Sequence, residues 1–196
     1  KDRVRVLLER YGILFRELLT RELPSLQWSR LFRTLRIMEM SGELISGNFF
    51  DGIPGLQFVS QEAYRQLERG LPRDGVFWIN AADPASLCGS GLDRLRESLP
   101  SRIPSTHLVY HGPRLVLISR RYGKELEFKA DADDSELENY LGLFRTLVGR
   151  DFNPLKRITV ERINGEAAKE SPYAEFLRRF GFQESYTGLE YWRQYP

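Results

Sequence analysis

Apolar residues at Val4, Leu7, Leu8 and Tyr11 recur with helical spacing and predict a first helix, stopped at Gly12. A short second helix is expected from Arg16 to Leu23, ended by Pro24. Ser25 is then the expected N-cap of a third helix, whose stripe of Trp28, Leu31, Leu35 and Met38 closes at Ser41-Gly42. Beyond it the period changes. Leu44–Phe50 and Gln57–Val59 are strand-compatible, and the turn-rich Asp51–Gly55 lies between them. Three helices followed by a strand, a glycine-rich loop and a strand is the order of a winged helix. Ser60 is placed to cap a further helix, Gln61–Leu71.

Leu71–Gly75 reads as a linker, dividing the chain into a winged-helix domain, 1–71, and a second domain, 72–196. The second domain is richer in strands, expected at Val76–Asn80, Thr106–His111, Arg114–Arg120, Glu125–Lys129, Arg157–Ile163 and Leu189–Trp192. Turns are expected at His111–Arg114 and Tyr122-Gly123. A capping box of Ser135 and Glu138 would open a helix to about Val148. Ser171-Pro172 would open another, Tyr173–Phe180, ended by Gly181. The predicted class is α+β, with a twisted, mainly antiparallel sheet, open or barrel-like. The stretch from Ala81 to Pro104 carries no clear period.

Composition narrows the chemistry. With 41% hydrophobic and 29% charged residues the chain can bury a core, and no apolar run reaches the roughly 18 residues of a membrane helix. No secretion signal is visible, so a cytoplasmic protein without a membrane partner is expected. One cysteine, Cys88, excludes an internal disulfide and a thiolate-rich zinc site. The net charge of +2 falls within residues 1–70, and 24 of the 29 basic residues are arginine, so any electrostatic footprint is local.

Signatures of catalysis are missing. The sole Gly-Lys pair, Gly123-Lys124, is followed by Glu125, so no phosphate-cradling loop is present, and neither G-x-S-x-G nor H-E-x-x-H occurs. Cys88 reads as a small buried thiol, and His107 and His111 as polar residues of a hairpin edge. Trp78 and Trp192 read as core residues. Binding signals are stronger. Arg30, Arg33 and Arg36 recur every three residues on the third helix, away from its apolar stripe. In a helix-turn-helix that helix enters the major groove, where Gln27 and Ser29 near its start would meet base edges. The wing adds Asn48 and Phe49 near its tip, where an exposed ring would wedge or stack on a base. Period two sends Phe50 or Phe58 inward and leaves Phe49 open. In the second domain Arg120, Arg121 and Lys124 form a basic hairpin tip suited to gripping a strand backbone, or simply to keeping the hairpin soluble.

Several segments together resemble the Lhr family, the large helicase-related branch of superfamily 2 DNA helicases. Leu7–Gly12 resembles its L-L-E-R-Y-G segment, and the wing Gly47–Phe58 resembles G-x-F-x-x-G-x-x-G-x-Q-F. Ala81–Pro84 with Gly89 is similar to the family's A-A-D-P-x-N-P-x-G loop, with Ser86 and Leu87 in place of Asn-Pro. Thr159–Glu166 resembles T-V-E-R-V-D-G-E, and Ser171-Pro172, Glu175, Gly181-Phe182 and Gly188-Leu189 match the closing helix and strand.

The resemblance implies a C-terminal portion of a longer protein, whose RecA-like motor domains use ATP and Mg and move 3′ to 5′ on DNA. No cofactor is expected in this portion. Its expected partners are single-stranded or tailed DNA, an RNA–DNA hybrid, and the motor domains themselves, and its expected role is an accessory nucleic-acid-binding module. Alternatives are a protein scaffold or a glycosylase-like, base-processing domain. Related glycosylases use Gln, a hydrophobic residue, then Gln or Asp. Here Gln57-Phe58-Val59 lacks the third residue, leaving Asp83 or Glu161 as candidate carboxylates.

Overall fold

The computed structural model describes residues 1–193. They form two compact units. The first contains Lys1–Leu71 and also Pro84–Ser101, whereas the sequence division assigns everything after residue 71 to the second.

In the first unit, helix α1 (Asp2–Tyr11) is followed by strand β1 (Ile13–Leu14), helix α2 (Trp28–Met40), strands β2 (Leu44–Gly47) and β3 (Gln57–Ser60), and helix α3 (Gln61–Arg69). The three strands pair in the order β1-β3-β2, all antiparallel. Val4, Leu7, Leu14, Leu19, Leu35 and Phe58 are fully buried in the core, and the helices and the small sheet make a winged helix. Two expectations are corrected. The second helix is only a 3₁₀ turn, Leu18–Arg21, because the chain is extended at Glu22 and Pro24 holds Leu23 extended. Ser25 does not cap α2; it lies in a second 3₁₀ turn, Pro24–Leu26, and Gln27 is the N-cap. Ser60 does cap α3, its Oγ accepting from the Ala63 amide at 3.1 Å.

Strand β2 stops at Gly47 instead of reaching Phe50. Beyond Gly47 the Gln57 side chain takes over from the strand ladder. Its Oε1 accepts from the Phe49 and Phe50 amides at 3.0 and 2.8 Å, and its Nε2 donates to Phe50 O at 2.9 Å and Ile53 O at 3.3 Å. One buried amide thus folds the wing loop. The returning segment carries the short helix α4 (Asp93–Arg96), with Cys88 buried and Leu92 packed on the core.

The second unit is built on strands β4 (Val76–Asn80), β5 (His107–His111), β6 (Arg114–Arg120), β7 (Glu125–Phe128), β8 (Arg157–Val160), β9 (Arg162–Ile163), β10 (Glu166–Ala167), β11 (Gln183–Glu184) and β12 (Leu189–Trp192). Helices α5 (Leu137–Tyr140), α6 (Gly142–Gly149) and α7 (Ala174–Phe180) complete it. One sheet runs β10-β9-β7-β6-β5-β4, antiparallel except for β7 against β9, and a second runs β11-β12-β8. Both six-stranded edges are open, so the sheet does not close into a barrel. The strand expected at Arg157–Ile163 is broken at Glu161, where the Glu161 and Arg162 amides both turn to Lys124 O and the chain passes from one sheet to the other. The core joins Leu117, Leu126, Tyr140, Phe144, Leu147, Val160, Leu177 and Leu189.

The Ser135–Glu138 capping box does not form. Asp134 Oδ1 accepts from the Glu136 amide at 2.8 Å, while its Oδ2 accepts from the Tyr140 hydroxyl at 3.1 Å, so one carboxylate anchors both ends of the turn. Neither expected core tryptophan is buried: Trp78 lies on edge strand β4, and Arg157 covers the exposed Trp192 ring.

Candidate nucleic-acid interface

Helix α2 buries Leu31, Leu35 and Met38 and turns Ser29, Arg30, Arg33 and Arg36 to solvent, as a period of 3.6 requires. The three guanidinium groups are not equivalent. Arg36 is ion-paired with Glu39, which also accepts from Ser46. Arg30 and Arg33 have no ion pair among the described residues, so their charge is available to an external anion. Gln27 is tied to its own turn, donating to Glu22 O at 3.2 Å, which leaves Ser29 as the freer polar group at the helix start.

At the wing, Asn48 is exposed, although its Oδ1 accepts from Gln57 Nε2 at 3.3 Å. Phe49 is half-buried and meets Tyr64 edge to face at 6.1 Å. Phe58 points inward, while Phe50 is the more exposed wing ring at 46% and packs against Phe15. Gln57, which organises this loop, has only a faint signal in the sequence, a lone amide directly before the buried Phe58 and beside a turn-rich segment.

In the second unit the basic hairpin tip is neutralised locally. Arg120 pairs with Glu127 at 2.6 Å, Arg121 with Glu125 at 2.9 Å and Lys124 with Glu161 at 2.8 Å. Exposed pairs of this kind contribute little to stability but reduce the field an approaching phosphate would meet. Glu161 is engaged in that pair, and Asp83 lies exposed on the turn after β4. Among the described residues no cluster of three or more His, Cys, Asp or Glu side chains is arranged to hold a metal ion.

The two histidines have separate structural roles. The Tyr140 hydroxyl donates a hydrogen bond to Asp134, so His111 donates from Nδ1 to the Tyr140 oxygen at 2.8 Å, and burial with Asp134 pushes the Tyr140 pKa up to about 12. His107 is buried, and burial, with help from Arg150, lowers its pKa to about 4. The Asn80 amide donates to Pro104 O and to His107 Nε2, so His107 is held neutral. Because the folded pKa lies below the ordinary value of 6.5, the unfolded chain takes up the proton first on acidification. Stability is therefore expected to fall by about 2 kcal/mol between about pH 7 and pH 5. Denaturant titrations across that window check this, with His107→Gln expected to flatten the dependence; an equal slope in the variant would refute it.

Residues 1–76 match the family model of the large helicase-related protein winged-helix domain. The chain is also 26% identical over 199 residues, 94% of its length, to the Lhr helicase/uracil glycosylase of Escherichia coli strain K12. It spans 12% of that relative. No helix among the described residues is long and apolar enough to cross a membrane. The winged-helix architecture and the Gln57-organised wing both fall within residues 1–76, the stretch that is similar to the winged-helix domain of the large helicase-related protein.

Proposed function

We propose that the chain is an accessory nucleic-acid-binding module of an ATP-dependent helicase, whose winged helix holds a DNA strand while motor domains elsewhere in the parent protein use ATP and Mg. The observation that carries this is the pair Arg30 and Arg33, exposed and without ion pairs among the described residues, on the helix that helix-turn-helix proteins lay in the groove. Contact is through phosphates, with the wing residues Asn48 and Phe49 beside the strand, and single-stranded or 3′-tailed DNA, or an RNA–DNA hybrid, is the ligand class. Arg120, Arg121 and Lys124 contribute less, since each already faces a carboxylate.

Salt titration by fluorescence anisotropy tests it. Removing Arg30 and Arg33 together is expected to reduce the slope of log affinity against log salt by about 1.4 to 1.8, near one phosphate per arginine. Arg36→Ala is expected to change it less, because Glu39 already competes for that charge. An unchanged slope in a folded Arg30→Ala/Arg33→Ala protein would remove α2 from the interface.

A second reading comes from the relative's name, which includes uracil glycosylase. Gln57 gives it little support here: its amide is fully committed within the wing, and Val59, two residues on, is buried and apolar. Release of uracil from uracil-containing DNA by this chain, lost in Asp83→Asn or Glu161→Gln, would favour that reading.

A further inference from the structure

Within the first unit, the returning segment is fastened across the winged helix without filling the space it encloses. Arg21 donates to Gly89 O at 2.9 Å, and Arg94 to Asp51 O at 3.3 Å. Gly91 sits so close to the turn before α2 that a Cβ there would lie 2.2 Å from Thr20 Oγ1. What remains is a cavity of about 490 Å³, within the usual range for ligand pockets. Its wall is mainly apolar and partly aromatic: Phe15, Phe50, Ile53, Leu87 and Leu95 line it. Phe50 and Leu87 are 46% and 38% exposed, leaving apolar surface at the mouth without a cover among the described residues.

The charge of the wall selects the occupant. Glu17, Asp51 and Asp93 line the cavity, and Arg94 is the sole cation there, already engaged with the Asp51 carbonyl. Glu17 Oε2 is shut off from water and has no hydrogen-bond partner among the described residues. Glu17 as a whole is half-buried, so its other oxygen, Oε1, is the one left for a ligand in the cavity. A phosphate-bearing strand would be repelled by three carboxylates. A guanidinium is flat, stacks on aromatic faces, is weakly hydrated for a cation and donates in a fork that matches a carboxylate. The cavity is larger than one side chain, so the arginine would bring an apolar neighbour with it.

We propose that this cavity is a docking site for a partner protein's exposed segment in which an arginine follows an apolar residue, the guanidinium facing Glu17 and the apolar side chain lying against Phe50 and Leu87. The site is separate from the exposed face of α2 and does not depend on that face meeting nucleic acid.

Amide chemical shifts of the ¹⁵N-labelled 196-residue chain, titrated with N-acetyl-leucyl-arginine amide, test the proposal. Shifts confined to Glu17, Phe50–Ile53 and Leu87–Leu95 are expected. The citrulline peptide, equal in shape but uncharged, is expected to bind about tenfold more weakly, as is the arginine peptide to Glu17→Gln. Equal affinity for the two peptides, shifts located elsewhere, or no shifts up to about 10 mM peptide would overturn it. Binding of deoxycytidine monophosphate but not of the arginine peptide would also overturn it, assigning the cavity to a base. If Glu17→Gln proves unfolded, the citrulline comparison on the unaltered chain decides alone.

Discussion

Gln57→Leu is expected to destabilise the first unit by about 3 kcal/mol and to release the wing loop. The Gln57 side chain is fully buried and has five hydrogen-bond contacts: Oε1 accepts from the Phe49 and Phe50 amides, and the two protons on Nε2 are shared among acceptors on Asn48, Phe50 and Ile53. Leucine keeps the volume but leaves part-buried backbone amides and carbonyls without partners on that side, and each such group costs about 1–3 kcal/mol when it stays buried. The loop can recover part of this by opening to solvent, which is why the loss stays below the sum. Gln57→Glu separates packing from hydrogen bonding. Its second oxygen would face the Phe50 and Ile53 carbonyls, so the variant should be least stable when ionised; its folded pKa is then raised, and stability recovers as pH falls through that raised value to about pH 4, the unfolded value. Denaturant unfolding, with hydrogen exchange at Phe49 and Phe50, measures both effects. A Gln57→Leu protein with an unchanged unfolding midpoint would show that β2 and β3 hold the wing without the amide.

Gln57 also illustrates what the sequence could and could not disclose. The wing was readable because strand, turn-rich loop and strand are local signals, and Ser60 was readable as a cap because its bond to Ala63 spans three residues. The role of Gln57 needed the folded loop. A lone amide carries no period, and its five partners declare themselves only after β2 and β3 pair in register. The second helix failed for a related reason: the apolar residues were there, but only Leu18–Arg21 turns, as a 3₁₀ helix, and the chain is extended at Glu22 and Leu23 before Pro24.

The candidate site divides in the same way. The periodicity of α2 was enough to place Arg30, Arg33 and Arg36 outward. The i, i+3 spacing of Arg36 and Glu39 is local, but the hold of Ser46 on the same carboxylate needs α2 packed on β2. At the hairpin tip, Lys124 and Glu161 are 37 residues apart, and their ion pair exists only because the chain crosses between sheets at Glu161. The stretch 81–104 was opaque because Leu92, partly buried, packs on a core whose pattern lies far earlier in the chain.

Gly188→Ala is expected to have the largest effect of any methyl addition in the second unit, about 4 kcal/mol. A Cβ at Gly188 would lie 2.0 Å from Val160 O, 2.9 Å from its carbonyl carbon and 3.2 Å from Glu161 Cα. All three atoms are backbone, and Val160 opposes Leu189 in the β8–β12 register, so relief requires β12 to move off β8. That would loosen Leu189 and Tyr191 from the core they share with Phe180 and Phe182. Two other glycines separate this clash from backbone strain. Gly165 has φ +88° with nothing near its Cβ, so Gly165→Ala isolates the left-handed cost, about 1 kcal/mol. Gly123 has φ +95° and a Cβ position 2.4 Å from an Ile158 methyl, which can yield where a carbonyl cannot; its alanine variant should fall between the two. Denaturant unfolding of the three variants gives the order, and hydrogen exchange along Leu189–Trp192 should accelerate most in Gly188→Ala. If Gly188→Ala and Gly165→Ala lose the same stability, the β8–β12 contact is softer than its backbone packing requires, and the long-range order of the second unit rests on the helices rather than on this seam.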